Sequence, residues 1–478
     1  MRRGRRIVAA AVLALLVLAI ALPFAIDTGP GRGWAARRLA QFTLANGISL
    51  HVARIDGSLW GAAVLSGVEL HDQDGRFATA PSVTLDWHPR ALFANRFDAD
   101  ALIIPLATLE RLPRLKKVDD PRILPNIDIV IDRARLGRLV IARGIAGPQR
   151  VVGADGRIDL RAGRALVDLD ATEIAGGDTL ALHIDAEPDR DRLALKARLD
   201  APVGGLVTTL ARLTAPLSAT LDGRGRWRDW RGQLAARLGS APVADLALSG
   251  TEGRLSARGR IDVAPLLSGA PARALAGGLT IAATATPEGD LSRITLQADG
   301  RQLTGRFVGQ LDRADETLRD ATLRLALADG STLARDLGWR IEGLALAARL
   351  AGSVLAPSVD ARATAQRLLS PGGIGLSGVV VAGIADLEDS GLSVPLIASV
   401  NAVSGLPETL APLSGKWRGE GRLLWADGAL KGDNLKLTSG PLNASIGINW
   451  VPARSAWGLA VAGRVRGWAL SQLGGTDA

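Results

Sequence analysis

At 478 residues, with 47% apolar but only 4% aromatic residues, 56 glycines and no cysteine, the chain can hold no disulfide framework, thiolate metal site or lipid-anchoring cysteine. Its net charge of +9 gives no nucleic-acid signature: Arg2, Arg3, Arg5 and Arg6 stand together at the N-terminus, and the remaining arginines are interspersed with Asp and Glu. No charged or Pro/Ser-rich linker divides the chain after residue 60, so a continuous architecture is expected in place of three conventional domains.

The first statement in chain order concerns the membrane. Ile7 to Ile26 is a stretch without a charge, with Ile7, Leu13, Leu16, Leu18, Leu22 and Ile26 among its apolar residues, arginines before it and Asp27 after it. At 1.5 Å per residue it reaches roughly the 30 Å of a bilayer core. Residues 1–6 are then expected to stay in the cytoplasm, 7–26 to form a single-pass membrane anchor, and everything beyond to be exported. The alternative, a cleavable leader, rests on the small-x-small pattern of Ala19-Ile20-Ala21; the apolar run is longer than the roughly 7–15 residues of an ordinary leader core. Gly29-Pro30-Gly31-Arg32-Gly33 breaks the helix, and Trp34 to Asn46 has the spacing of a short amphipathic helix, either resting at the headgroups or capping the first strand. Residues 27–56 make a juxtamembrane connector whose end, Ile48 to Ile55, brings the chain into a sheet.

Gly57 to Pro113 reads as successive strands. Val64 to His71 and Phe77 to Trp87 flank Asp72-Gln73-Asp74-Gly75 as a hairpin, His88-Pro89-Arg90 breaks it, Ala91 to Phe93 bends, and Phe97 to Leu109 runs on as a long apolar strand. The order of its motifs is G-S-L-W-G, G-V-E-L, D-x-D-G-R-F, T-L-D-W-H-P, A-L-F and L-E-R-L-P. In this order the stretch resembles the N-terminal part of the TamB family, the inner-membrane subunits of the translocation and assembly module, grouped with the AsmA-like bridge-type lipid carriers. The resemblance is carried most specifically up to Pro113 and by repeat texture beyond it. Family members usually run longer and close on a distinctive C-terminal domain, so it implies an N-terminal portion or a truncated member. It implies a TamB-like β module over residues 57–125 and a degenerate β-repeat groove over 126–478. It also implies phospholipid as cargo and an outer-membrane barrel partner of the TamA or BamA type.

After Pro125 the chain is a monotone of strands, best seen at Thr179 to Ala201. Leu180, Leu182, Ile184 and Ala186 alternate with Ala181, His183, Asp185 and Glu187; Pro188-Asp189-Arg190-Asp191 turns; Leu193, Leu195, Ala197 and Leu199 then alternate with Ala194, Lys196 and Arg198. The same alternation places Leu246 and Leu248, Ile294 and Leu296, and Leu323, Leu325 and Leu327 on apolar faces. Turns are expected at Asp155-Gly156, Asp222-Gly223, Asp299-Gly300, Asp329-Gly330 and Asp427-Gly428. Short helices or crossovers are expected at Val203–Leu213, Val263–Leu275 and Leu406–Leu413.

No catalytic signature accompanies this pattern, and neither a cofactor nor a metal is expected. G-x-S-x-G, H-E-x-x-H and P-loop motifs are absent, and His51, His71, His88 and His183 sit in or beside strands without ligand spacing. Gly373 to Gly378 matches G-x-G-x-x-G but leads into Val379-Val380-Val381, a strand, where a dinucleotide needs a helix N-terminus. The scattered tryptophans, Trp227, Trp230, Trp425 and Trp450 among them, are expected at sheet rims or strand ends.

The expected fold is therefore mainly all-β: a transmembrane helix, then an elongated, curled antiparallel sheet with a few short helices. Pattern alone leaves a closed sandwich or barrel and an open trough equally satisfied; the resemblance favours the trough. Two functions follow from it, a lipid conduit between inner and outer membranes and an assembly factor offering strand edges to outer-membrane β-proteins. An exported enzyme with a novel site is a distant third.

Overall fold

Strands form here because apolar residues recur at every second position and turn residues interrupt them at short intervals, leaving each strand one apolar and one wet face. The computed structural model describes residues 47–114, 127–451 and 456–465, apart from short stretches at 146, 212, 227, 268, 314, 336–337, 355–356, 389–390, 427–428 and 441. Of the described residues, 69% are in strands and 9% are helical. It divides into two units, Met1–Pro242 and Val243–Ala478. The segment expected to span the membrane, with Ile7, Leu13, Leu16, Leu18, Leu22 and Ile26, lies outside the described residues. Among the described residues no helix is long and apolar enough to cross a membrane.

The first unit holds β1 (Ser49–Gly57), β2 (Ala62–Asp72), β3 (Gly75–Trp87), β4 (Arg96–Leu109), β5 (Asp128–Ile141) and β6 (Arg150–Arg161). It continues with β7 (Arg164–Glu173), β8 (Thr179–Glu187), β9 (Arg192–Ala201), β10 (Leu217–Arg226) and β11 (Asp229–Leu238). Each strand pairs with its neighbours in the chain, all antiparallel except β4 and β5, which run parallel. Nothing pairs β11 back to β1 among these ladders, so the sheet stays open.

β12 (Ala241–Thr251) carries the boundary between the units. The second unit continues with β13 (Arg254–Ile261), β14 (Leu279–Glu288), β15 (Leu291–Gly300), β16 (Leu303–Asp312) and β17 (Thr317–Leu327). Then come β18 (Arg340–Glu342), β19 (Ala345–Ser353), β20 (Ser358–Leu369), β21 (Gly375–Glu388), β22 (Gly391–Val400) and β23 (Ala402–Ser404). The series ends with β24 (Trp417–Ala426), β25 (Ala429–Ser439), β26 (Leu442–Val451) and β27 (Ala456–Val465). The three-residue strands β18 and β23 are short additions that pair with β20 and β21.

The expected curl does not form from β6 to β11, where the strands succeed one another as an uncurled sheet. Strong curvature needs extra residues inserted in one strand against its partner. From β6 to β11 the cross-strand pairs run one to one without a register shift. Two expected turns are also corrected. Asp155-Gly156 lies inside β6 and Asp222-Gly223 inside β10. These glycines serve close approach: a Cβ on Gly156 would come within 2.7 Å of the Asp168 carbonyl oxygen, and one on Gly223 would strike the Trp230 ring. Asp299-Gly300 closes β15 and Asp329-Gly330 opens a 3-10 turn at Gly330–Thr332, as expected; Asp427-Gly428 lies outside the described residues.

The three expected interruptions are helical. The first is α1 (Leu206–Leu210), the second a 3-10 turn at Ala264–Leu266 followed by α2 (Gly269–Ala274), and the third a 3-10 helix at Glu408–Leu413. Buried charges pin α1 to the sheet. The Leu206 amide donates to Glu173 Oε2 at 2.6 Å, the Val207 amide to Asp178 Oδ2 at 2.7 Å, and Arg150 Nη1 to Glu173 Oε1 at 2.8 Å. The Glu173 side chain is almost fully enclosed, and its charge is balanced by Arg150.

Candidate functional site: an uncovered apolar sheet face

The residues singled out at Thr179 to Ala201 meet on one face of β8 and β9. Leu180 lies opposite Leu199, Leu182 opposite Ala197, Ile184 opposite Leu195, and Ala186 opposite Leu193. Directly opposed residues point to the same side, so the register joins the two alternations into one surface. That surface continues through β7, where Ala171, Leu169 and Val167 oppose Leu180, Leu182 and Ile184, and through β10, where Ala219 and Leu221 oppose Leu199 and Ala197.

The second unit repeats the arrangement. Leu248 connects through Ala257 and Ala283 to Leu296, which pairs through Phe307 with Leu323; Leu246 connects through Gly259 and Ile281 to Ala298. Ile294 opposes Ala285 and Gly309, Leu325 opposes Gly305 and Leu346, and Leu327 opposes Leu303. Large residues thus sit against glycine or alanine in many of the pairs, which keeps the face smooth.

This face is not covered. In a sandwich these leucines would be sealed; instead Leu182, Ile184, Leu193, Leu195 and Leu199 are half-buried and Leu180 is 36% exposed. Leu248, Ile294, Leu296, Leu323, Leu325 and Leu327 are likewise half-buried, and Leu246 alone of the expected lining is buried. The opposite face is charge-paired, exposed at Arg135 to Asp155, 3.3 Å, and at Lys196 to Asp222, 4.0 Å, and closed over at Asp185, which Arg164 meets at 2.8 Å. The Arg164 guanidinium, hydrogen-bonded to Asp185, holds that carboxyl below the ordinary carboxylate range.

The deepest part of the apolar face was not singled out by alternation. Along β1, Val52 and Ile55 both point inward while residues 53 and 54 face out, a two-residue step. The same step recurs beside it at residues 66–67 of β2, 81–82 of β3, 105–106 of β4 and 137–138 of β5, and ends against the single residue Gly153 of β6. A line of irregularities crossing five strands bends them toward their apolar side. The signal was in the sequence as Gly67, Pro81, Pro105 and Gly137, the Gly and Pro residues inside otherwise regular strands. Gly67 has φ +62°, and a Cβ on Gly137 would lie 2.7 Å from the Pro105 carbonyl oxygen.

Residues from both flanks of the bend line a single concavity of about 450 Å³, among them Val52, Ile55, Val68, Leu85, Trp87 and Phe97. The rings of Trp87 and Phe97 stand 5.7 Å apart at one end. In the second unit a smaller concavity of about 350 Å³ is lined by Leu376, Val400, Val403, Leu406 and Trp417, whose indole Nε1 donates to the Leu413 carbonyl oxygen at 2.7 Å. Trp87, Trp230 and Trp417 lie at strand ends, as expected. The Trp230 ring also lies over the opposed pair Gly223 and Gly232, covering backbone that carries no side chain.

His51, His71 and His183 are strand residues, and His88 precedes the Pro89–Ala94 turn. His51 and His71 stack with ring centroids 4.4 Å apart, His71 Nε2 is 2.9 Å from Glu69 Oε2, His183 Nδ1 is 2.5 Å from Asp168 Oδ1, and His88 is 3.7 Å from Asp100. Among the described residues no group of three or more His, Asp or Glu could hold a metal ion. Gly375 opens β21, so the G-x-G-x-x-G stretch has no helix N-terminus behind it. No family profile, curated protein or solved structure matches this chain.

Proposed function

We propose that this chain is a carrier of phospholipid acyl chains, of the TamB or AsmA-like bridge type. The observation that supports this most is the apolar face, which runs in register from strand to strand with its leucines only partly buried. Each leucine left partly open forgoes at most about a third of the ~1.5–3 kcal/mol that full burial would contribute. A carried acyl chain restores that burial at any position along the face, so cargo can move without a defined site.

In this proposal Ile7 to Ile26 anchors the chain in a bacterial inner membrane and the sheet lies in the periplasm. The apolar face forms the elongated groove, for which the β1–β4 concavity supplies the bent beginning. The polar face stays wet, and an outer-membrane barrel of the TamA or BamA type receives the far end. No enzymatic step is required.

Photo-crosslinking residues at Leu182 and Leu195, compared with Lys196 on the other face, test it. The carrier captures phospholipid at the first two and none at the third; equal capture, or none at all, overturns it. A second reading, assembly of outer-membrane β-proteins by strand addition, draws on β1, which among the described residues pairs with β2 alone. Crosslinkers at Ala53 and Arg54 would then capture polypeptide.

A further inference from the structure

The connection from β3 to β4 carries the most exposed large apolar residue of those described. In Pro89–Ala94 the inner residues Pro89 and Ala91 are buried, while Phe93 is 88% and Leu92 45% exposed. The turn is held firmly: Asn95, at φ 55°, donates its amide to the Leu92 carbonyl oxygen at 3.0 Å, and its own carbonyl accepts from the Asp128 amide at 3.0 Å. Beside it is the turn after β1, tied in by the Trp87 amide donating to the Gly61 carbonyl oxygen at 3.4 Å, and carrying Trp60, itself 37% exposed. Arg90 is exposed on the same tip.

We infer that this tip is a membrane-surface anchor, with Leu92 and Phe93 inserting among acyl chains and Trp60 and Arg90 resting at headgroup level. Three observations select a lipid surface over a protein partner. The apolar side chains stand on two convex turns, and together they offer far less than the roughly 1,200 Å² that a stable protein interface buries. Trp with a cation is the composition of the bilayer interface. The strand residues flanking the tip, Trp87 and Phe97, line the apolar concavity, so insertion sets the end of that concavity against the bilayer. The last point extends the carrier proposal; the first two stand without it.

The absence of cysteine makes the test clean. Full-length protein with the single substitution Ala94→Cys, labelled with an environment-sensitive fluorophore, is reconstituted into vesicles of phosphatidylethanolamine and phosphatidylglycerol with brominated acyl chains. Quenching is expected at position 94 and not at Asp189→Cys, an exposed turn of the same unit. In the Ala94→Cys background, Leu92→Asp with Phe93→Asp is expected to abolish the quenching with the circular dichroism spectrum unchanged. An unquenched probe at position 94, quenching that survives the double substitution, or crosslinking of position 94 to a second copy or to residues 1–46 overturns the inference. Lipid capture at Leu182 and Leu195 is read separately, so failure of the tip and failure of the carrier proposal are distinguishable.

Discussion

β1–β5 and β6–β11 carry the same alternation of apolar and polar residues, yet in the first group buried apolar side chains gather into one cluster, whereas those buried in the second, Ala165, Ala186, Ala201 and Leu238, stand at or beside strand ends. Ile55 is 4% exposed and Val52, Ala63, Val68, Ala80 and Val83 join it in one cluster, whereas Leu195, equally apolar in a strand of similar length, is only partly buried. The difference is the line of two-residue steps at Gly67, Pro81, Pro105 and Gly137, which lets one sheet face turn in on itself without a second layer. Hydrophobic pattern therefore sets which side is apolar, and local breaks in the pattern set whether that side is closed.

Charge placed on the two regions should separate them most sharply. Ile55→Asp buries an unpaired carboxylate and is expected to cost several kcal/mol, unfolding the first strands, as urea denaturation would report. Leu195→Arg and Leu182→Asp can reach water, so expression and protease resistance should stay near normal while outer-membrane integrity is lost. Degradation of the latter two would mean that their face is covered after all, and the comparison would fail.

The bend itself is the next target. Gly67→Ala places a Cβ 2.8 Å from the Ala53 Cβ in a left-handed backbone conformation, and a cost of about 1–3 kcal/mol is expected in thermal unfolding. By contrast Gly61→Ala, where a Cβ meets nothing within 4 Å, should be nearly silent. If both are silent, the bend does not depend on close packing at Gly67.

Acid should also weaken β1–β5. The Asp72 side chain is fully enclosed and accepts from Arg111 at 2.5 and 2.7 Å and from the Arg114 amide at 2.6 Å. The Arg111 hydrogen bonds hold this carboxyl far below its ordinary value. Because the folded value is depressed, its stabilisation is complete above the ordinary carboxylate range near ~4 and is lost as the pH falls through the lowered value. Asp72→Asn should flatten that acid limb, seen by hydrogen exchange of β2 and β3, and leave exchange in β8 and β9 unchanged.

The smallest effect belongs to the wet face. Lys196 faces Asp222 at 4.0 Å with both side chains largely exposed, so Lys196→Asp should shift the denaturation midpoint by no more than about 1 kcal/mol and leave function intact.

Most strands were legible because their alternation is regular. The hairpin of β2 and β3, the break at His88-Pro89-Arg90 and the pair β8 and β9 all fall where pattern and turn residues place them. What alternation cannot show is glycine used for proximity. Asp155-Gly156 and Asp222-Gly223 look like turns, but Gly156 admits a neighbouring carbonyl and Gly223 lies beneath Trp230, a contact made only once β11 has paired with β10. The concavity was missed for a related reason: two outward residues in succession break the period of two, so Val52 and Ile55 do not read as one face.

The ladder of chain neighbours also has a temporal meaning. Nearly every strand finds its partner a few residues away, so pairing requires little loop closure and the sheet can lengthen hairpin by hairpin as the polypeptide emerges, each new edge templating the next. The parallel join of β4 to β5 is different, because its partners, Arg96 and Asp128 at the start and Leu109 and Ile141 at the end, stand more than thirty residues apart. That join is the slow step the topology imposes. A nascent chain halted before Ile141 would hold β1–β4 with an unfinished, greasy margin, the state in which a holding chaperone would be needed most.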